Sequence, residues 1–204
     1  MKFSYVIPSI NQTKMLINDC IDSLLKHENL AGDEIIVVDD GSPSHIQSVV
    51  KAECERRGVT VILRPANGGF PIAANEGIRA ATGDVVVMVN NDVQFIEPVK
   101  KKIIASFERD SKIGIVGSLL LYPHGTIQHG GIVAVGNGGF THRGWHRKPE
   151  EVSDFCKGSY LIGVTGALFA MKRPMLNQIG LFNEKYFLSC DDTEYCLRAW
   201  ANGW

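Results

Sequence analysis

The chain is expected to adopt an α/β fold: a Rossmann-like, mostly parallel central sheet with helices on both faces. Two observations carry this. Strand-like and helix-like segments alternate through the first half, and two strand candidates, Glu34 to Val38 and Val85 to Val89, are nearly unbroken Val/Ile runs. Strands of that composition are buried on both faces, as in parallel sheets covered by helices on either side. Repeated strand–helix–strand units with right-handed crossovers build such a sheet.

Phe3 to Ile7 is the first strand candidate, ended by Pro8. Ile17, Cys20, Ile21, Leu24 and Leu25 then recur at helical spacing and form one apolar stripe. A second helix runs from about Ser44 to Arg57, before Gly58, and Val59 to Leu63 is the third strand. The third helix starts near Pro71, a residue suited to a first helical turn, and reaches Ala81. After Arg109 the pattern changes. Ile113 to Leu121 has strand character, and Gly125 to Gly144 is rich in glycine and histidine, with a flexible Gly136-Asn137-Gly138-Gly139. Leu161 to Met171 returns to strand character around Thr165-Gly166-Ala167. A last helix starts near Asp192 and still runs close to Trp204.

Composition narrows the class. With 45% apolar and 21% charged residues in 204, the chain has the make-up of a soluble globular domain able to bury its own core. A net charge of -1 gives no footprint for nucleic acid or an anionic membrane. Five cysteines without a C-x-x-C pair argue for buried free thiols in a reducing compartment. The N-terminus is too short and polar for a signal peptide, and no apolar run approaches the roughly 20 residues of a membrane span. The expectation is a cytoplasmic protein.

In open α/β sheets ligands bind beyond the carboxyl ends of the strands, and three polar segments fall there. Pro8-Ser9-Ile10-Asn11 follows the first strand; its plainer reading is a strand stop and helix cap. Asp39-Asp40-Gly41-Ser42 follows the second, where two adjacent carboxylates exceed what a turn needs. Asn90-Asn91-Asp92 follows the fourth, and Asp92 could give Mg²⁺ or Mn²⁺ the single carboxylate that suffices when a diphosphate supplies the rest. A fourth segment, Asp191-Asp192-Thr193-Glu194, opens the last helix. Asp191 and Glu194 fit a capping-box-like start, which leaves Asp192 free to act as a general base. Asn67-Gly68-Gly69-Phe70-Pro71 puts backbone N–H groups at a helix start, without the glycine pattern of a dinucleotide site or a P-loop. His124 and His129 lack the spacing of zinc ligands and are expected to be loop or packing residues. The basic stretch from His142 to Lys148 is either a solvated loop or a mobile acceptor loop that orders when donor binds.

In order and spacing, the series V-I-P-S, V-D-D-G-S, N-G-G-F-P-I-A-A-N, T-G-D, V-N-N-D and D-D-T-E-Y-C-L-R-A resembles family 2 glycosyltransferases of the GT-A fold, over essentially the whole chain. Gln128-His129-Gly130-Gly131 and Thr165-Gly166-Ala167 are most similar to members that build bacterial cell-surface polysaccharides. The resemblance implies an inverting transfer of a sugar from a nucleotide-diphosphate donor, UDP- or dTDP-linked by preference, to a hydroxyl of a glycan or lipid-linked acceptor. It implies that Pro8, Ser9, Asp39 and Asp40 hold the nucleoside, with Asn11 also on the nucleotide sugar. Arg64, Asn67 and Gly69 would lie beside the nucleotide sugar, with Asn75 supporting their helix. Asp92 matches the last position of the D-x-D metal motif, Asn91 lies beside it, and Asp192 matches the base, with Asp191 as its partner.

A single domain with a nucleotide-sugar-binding half (1–92) and an acceptor-side half (93–204) follows from this, possible contact with the inner membrane being left to sequence outside it. The chain departs from the family in two places. Asn90 stands where the metal motif has Asp, and the sequence stops at Gly203-Trp204, where members continue, so a fragment truncated at its C-terminus is expected. Two other readings stay open: a sugar nucleotidyltransferase, which should carry a glycine-rich basic loop where Pro8-Ser9-Ile10-Asn11 stands, and a non-catalytic nucleotide-sugar-binding module.

Overall fold

The computed structural model describes residues 1–136, 138–152, 159–187 and 190–204. Its centre is a six-stranded sheet formed by β1 (Phe3–Ser9), β2 (Glu34–Asp39), β3 (Thr60–Leu63), β4 (Val85–Val89), β5 (Ile115–Gly117) and β10 (Leu168–Lys172). The strand order is β3-β2-β1-β4-β10-β5, with β1 to β4 mutually parallel and β10 antiparallel to both of its neighbours. Small ribbons fill the stretch between β5 and β10. They pair β6 (Leu120–Leu121) with β7 (Ile127–His129), and β8 (Ile132–Ala134) with β9 (Phe140–His142).

Alternation along β1 shows why both faces are covered. Phe3, Tyr5 and Ile7 point into one core layer with Leu16, Ile17, Cys20, Ile21 and Leu24, and with Ile103 and Phe107 of α4 (Lys100–Arg109). On this face α2 (Ser44–Arg56) adds Val50 and Cys54. Val6 points the other way, into a layer with α3 (Phe70–Ala80), α5 (Arg173–Ile179) and α6 (Asp191–Ala201). Every residue of β4 is buried, as its Val run requires.

Four elements differ from the sequence expectation. β1 does not stop at Pro8; it runs on to Ser9, paired with Asp39 of β2. Pairing of β1 with β4 ends at Val6↔Met88, so on that flank the proline removes no ladder bond. Met15–Ile21 is a π-helical segment that passes into α1 (Asp22–His27). Its looser turn takes Leu25 off the apolar stripe, leaving it 38% exposed while Leu24 is fully buried. Ile113 to Leu121 is two strands in different sheets, β5 and β6. Of Leu161 to Met171 only the end from Leu168 is strand, and Gly163 makes an isolated bridge to Ile132.

Cys20, Cys54 and Cys196 are buried free thiols, with burial pushing Cys20 and Cys196 up to about 12. Cys190 is exposed, against expectation, and Cys156 lies outside the described residues, as does Asn137 of the glycine stretch. Among the described residues no helix is long and apolar enough to cross a membrane.

α3 packs unusually close to the sheet because its inner face is Ala73, Ala74, Gly77 and Ile78. A Cβ on Gly77 would stand 2.3 Å from Val6 Cγ1 and 3.1 Å from Val38 Cγ2. Alanine is the better helix former by roughly 1 kcal/mol, so propensity alone favours Gly77→Ala. Overpacking, which typically costs about 1–3 kcal/mol, should win. Urea unfolding is expected to show Gly77→Ala destabilised, with Val6→Ala recovering part of the loss in the double variant. A stabilised Gly77→Ala would mean the helix stands off the sheet.

Candidate active site

The chain crosses from β3 on one side of β1 to β4 on the other, which makes the carboxyl ends of β1 and β4 the switch point where α/β sheets open a crevice. Most of the sequence-predicted residues of the first half gather along this edge. Register places Ser9 beside Asp39 and Asp39 beside Leu63, and the strand exits are tied by Asp40 N–H to Ser9 O (2.8 Å) and Arg64 N–H to Asp39 O (2.9 Å). Across the switch point the Asn91 amide donates to Ser9 Oγ at 2.9 Å, and the N–H of left-handed Asn11 donates to Ser42 Oγ at 2.9 Å.

The two aspartates of the second segment divide the work. Asp39 is fully buried. Its oxygens accept from Ser42 N–H (2.9 Å), Ser42 Oγ–H (2.7 Å) and Gln47 Nε2–H (3.0 Å). It therefore shapes the turn, which makes Ser42 and Gln47 part of the site's frame. Asp40 faces the next loop: Gly68 and Gly69 N–H groups donate to it at 3.0 Å each, and the Arg64 guanidinium pairs with it. Arg64 Nε reaches Glu76 at 2.8 Å, and Asn67 Oδ1 accepts from Gly69 N–H at 2.9 Å. Gly41 must be glycine, since at φ 81° a Cβ would stand 2.3 Å from the Ala66 carbonyl carbon.

Asn75 supports its helix from inside the protein. It is 1% exposed, and its amide accepts from Phe182 N–H and donates to Phe182 O and Glu184 Oε1, each at 2.9 Å. Its side chain is an internal bracket between α3 and the segment leading to α6. Asp92 stands exposed at the end of β4, and no cluster of three or more His, Cys, Asp or Glu residues suited to a metal exists among the described residues.

The second half is brought in by the reversed strand. Because β10 is antiparallel to β4, its start lies at the same edge, and Asn90 N–H donates to Ala167 O at 2.8 Å. The neighbouring Gly166 N–H donates to Asp192 Oδ2 at 2.9 Å. A Cβ on Gly166 would lie 3.5 Å from Asp192 Cβ and 3.7 Å from the Phe70 ring, so the starts of α3 and α6 meet there.

The capping arrangement differs from the expected one. Cys190, at φ 63°, occupies the N-cap position, and Glu194 pairs with Arg198 through two 3.0 Å contacts rather than reaching back. Asp192 Oδ1 accepts the Thr193 N–H at 2.6 Å, while Asp191 is buried in the first turn. Arg198 also donates to the carbonyls of Ile179 (2.8 Å) and Leu181 (2.9 Å) and lies over the Tyr195 ring, which pins the helix to the end of α5.

Residues 4–180 match the family described as glycosyl transferase family 2. The chain belongs to that family. It is 27% identical over 209 residues to the O-antigen biosynthesis protein RfbC of Myxococcus xanthus, which covers 99% of this chain. The curated relatives that match nearly all of it are several times longer, so that it spans 23% and 16% of them. The GT-A fold is shared with a Pyrobaculum calidifontis mannosyltransferase solved with GDP-Man and Mn²⁺ (TM-score 0.71, 18% identity, 99% of this chain and 52% of that one). It is shared too with GalNAc-T7 solved with UDP, GalNAc and Mn²⁺ (TM-score 0.76, 18% identity, 98% and 40%). The chain is thus a family 2 glycosyltransferase domain.

Within this glycosyltransferase fold, His129 is a residue that sequence reasoning placed only as packing. It is 1% exposed, its Nε2 accepts the Thr165 N–H at 3.2 Å, and its Nδ1 lies 2.7 Å from His142 Nδ1. An Nε2 that accepts leaves the proton on Nδ1, which donates to His142. Burial, helped by His142 and opposed by Asp192, lowers its pKa from 6.5 to about 4. Between those values the unfolded chain holds the extra proton, so the stability tied to neutral His129 is complete above about pH 6.5 and is lost as pH falls toward 4. Thermal melts are expected to show Tm falling across that window, and His129→Gln, which keeps an acceptor for Thr165, should flatten the fall. A variant that tracks the parent would remove His129 from the acid response.

Proposed function

We propose that this domain transfers a sugar from a nucleotide-diphosphate donor, UDP- or dTDP-linked by preference, to a hydroxyl of a glycan or lipid-linked acceptor, with inversion at the anomeric carbon. One arrangement carries the reading: Gly166 holds the Asp192 carboxylate on the strand start that also binds the segment of Asp92. A general base and a diphosphate-side carboxylate are thereby fixed to one edge of the sheet.

Asp192 takes the proton of the acceptor hydroxyl as its oxygen bonds to the anomeric carbon, and the bond from that carbon to the diphosphate oxygen breaks in the same displacement. The Gly166 and Thr193 N–H groups aim the carboxylate and hold its rotamer. Asp191, buried in the same turn, is its positioning partner. Pro8, Ser9, Asn11, Asp40, Arg64, Asn67, Gly69 and Asn91 form the donor-binding edge, with Asp39 and Asn75 as its internal supports.

A lone exposed carboxylate at the end of β4 suits a Mg²⁺ or Mn²⁺ ion that arrives with the diphosphate, not a preassembled protein site. Held by Asp92, such an ion would supply neutralisation of charge on the leaving group. Both structural relatives described above were solved with Mn²⁺, and the surface-polysaccharide role named for the Myxococcus relative supports an envelope glycan as acceptor.

Calorimetric titration of UDP, dTDP and GDP is expected to give binding of one nucleotide in Mn²⁺ that EDTA or Asp92→Ala removes. Asp192→Asn keeps an oxygen for Gly166 and should lower turnover by about 10²–10⁴-fold while leaving donor affinity intact. Unchanged function in Asp192→Asn would point to a binding module, and no nucleotide bound under any condition would defeat the donor reading.

A further inference from the structure

Beside the Asn90–Ala167 junction lies a second cavity, of about 310 Å³, walled by the ribbons that precede β10. That is the low end of ligand-pocket size, enough for one sugar ring. None of the residues lining it is Lys, Arg, Asp or Glu, which suits an uncharged ligand and disfavours a phosphate.

One wall is aromatic and built with care. Trp145 is 52% exposed, yet its Nε1–H donates to Tyr122 Oη at 2.9 Å and its ring lies 4.6 Å from that of His146. Tyr122 is in turn stacked between His124 (5.3 Å) and His146 (5.1 Å). The turn that presents Trp145 holds His146 at φ 60°, a conformation a histidine rarely adopts. It is secured by His146 N–H to Ile127 O and Ile127 N–H to Arg147 O, both 2.8 Å. An exposed indole with a fixed orientation is a stacking surface, not a loose side chain.

The other walls are polar and uncharged. Gln128, Thr165 and Asn90 each offer both donor and acceptor atoms. His142 Nδ1 accepts the hydrogen bond from His129 Nδ1–H, so its Nε2–H remains a donor. An apolar platform facing a polar rim matches a pyranose ring, with its C–H face and its fringe of hydroxyls.

We propose that this cavity is the subsite for the terminal pyranose ring of the acceptor, stacked on Trp145 with its hydroxyls among Gln128, His142, Asn90 and Thr165. Its identity as acceptor rather than donor subsite rests on the transferase reading above. Its floor is the Thr165–Ala167 segment that binds Asp192, the group that would deprotonate the incoming hydroxyl. A free glycan and a lipid-linked one share this terminal ring.

The test is NMR titration with the methyl and octyl glycosides of glucose, galactose, mannose, rhamnose and N-acetylglucosamine, following the Trp145 indole N–H. At least one methyl glycoside should shift that signal saturably. Trp145→Ala should weaken its binding about tenfold or more, and Trp145→Phe should retain most of it. The octyl form of the same sugar should bind as the methyl form does. Binding of octyl glycosides alone would make the cavity a site for the chain rather than the ring and would overturn the proposal. So would a silent indole with every sugar, or undiminished binding by Trp145→Ala. Nucleotide titration of the same proteins separates the two ideas. Glycoside binding without nucleotide binding leaves the sugar subsite standing and removes the donor; nucleotide binding without glycoside binding does the reverse.

Discussion

β1 is bonded along both edges and buried on both faces, and this double confinement sets the rest of the molecule. A strand so placed cannot slide by one residue without moving Phe3, Tyr5 and Ile7 into the layer that holds Val6. Its register therefore fixes the register of β2 and β4, and through them the height at which Ser9, Asp39 and Asn91 leave the sheet. The crevice is a product of that shared stopping point. Its polar groups are then held by short bonds: Ser42 and Gln47 on Asp39, Asn91 on Ser9, and the glycine N–H groups on Asp40.

The Asp192 carboxylate depends on the same confinement at one remove. Asp192 is not on the sheet, but Gly166 is one residue from the carbonyl that Asn90 binds at the end of β4. The opposite side of its helix is locked by Arg198, whose guanidinium satisfies two carbonyls at the end of α5 while gripping Glu194. The motif D-D-T-E-Y-C-L-R-A thus contains one carboxylate held at the crevice and several residues that keep its helix from rotating. Tyr195 belongs with the latter, donating to Gly180 O at 2.9 Å.

Much of this was legible in the sequence, for identifiable reasons. The Val runs of β2 and β4 announce burial on both faces, and the polar residues directly after them announce the ligand edge. What was misjudged depended on long-range geometry. Pro8 marks a strand end in most contexts, yet here the β4 ladder has already stopped. Asp39 and Asp40 are indistinguishable as neighbours in sequence, and only the fold turns one inward and the other toward Gly68 and Gly69. Asn75 could be read as a helix support, but its partners, more than a hundred residues away, could not be named. The pairing of His129 with His142, and of Tyr122 with Trp145, joins short ribbons and turns whose spacing follows no period, so no local pattern could reveal it.

The reversed strand β10 has a further effect. Gly117 at the end of β5 faces Phe169 at the start of β10, and Ser118 N–H reaches Leu168 O at 3.4 Å. The described residues between 118 and 167, with both ribbons and the aromatic platform, leave and re-enter the sheet at almost one point. An excursion closed so tightly at its base behaves as a cassette: its length and contents can change while the six strands keep their register. A lineage built on this plan can remodel that region by replacing one continuous stretch of gene, and keep the parallel strands and the crevice at their ends.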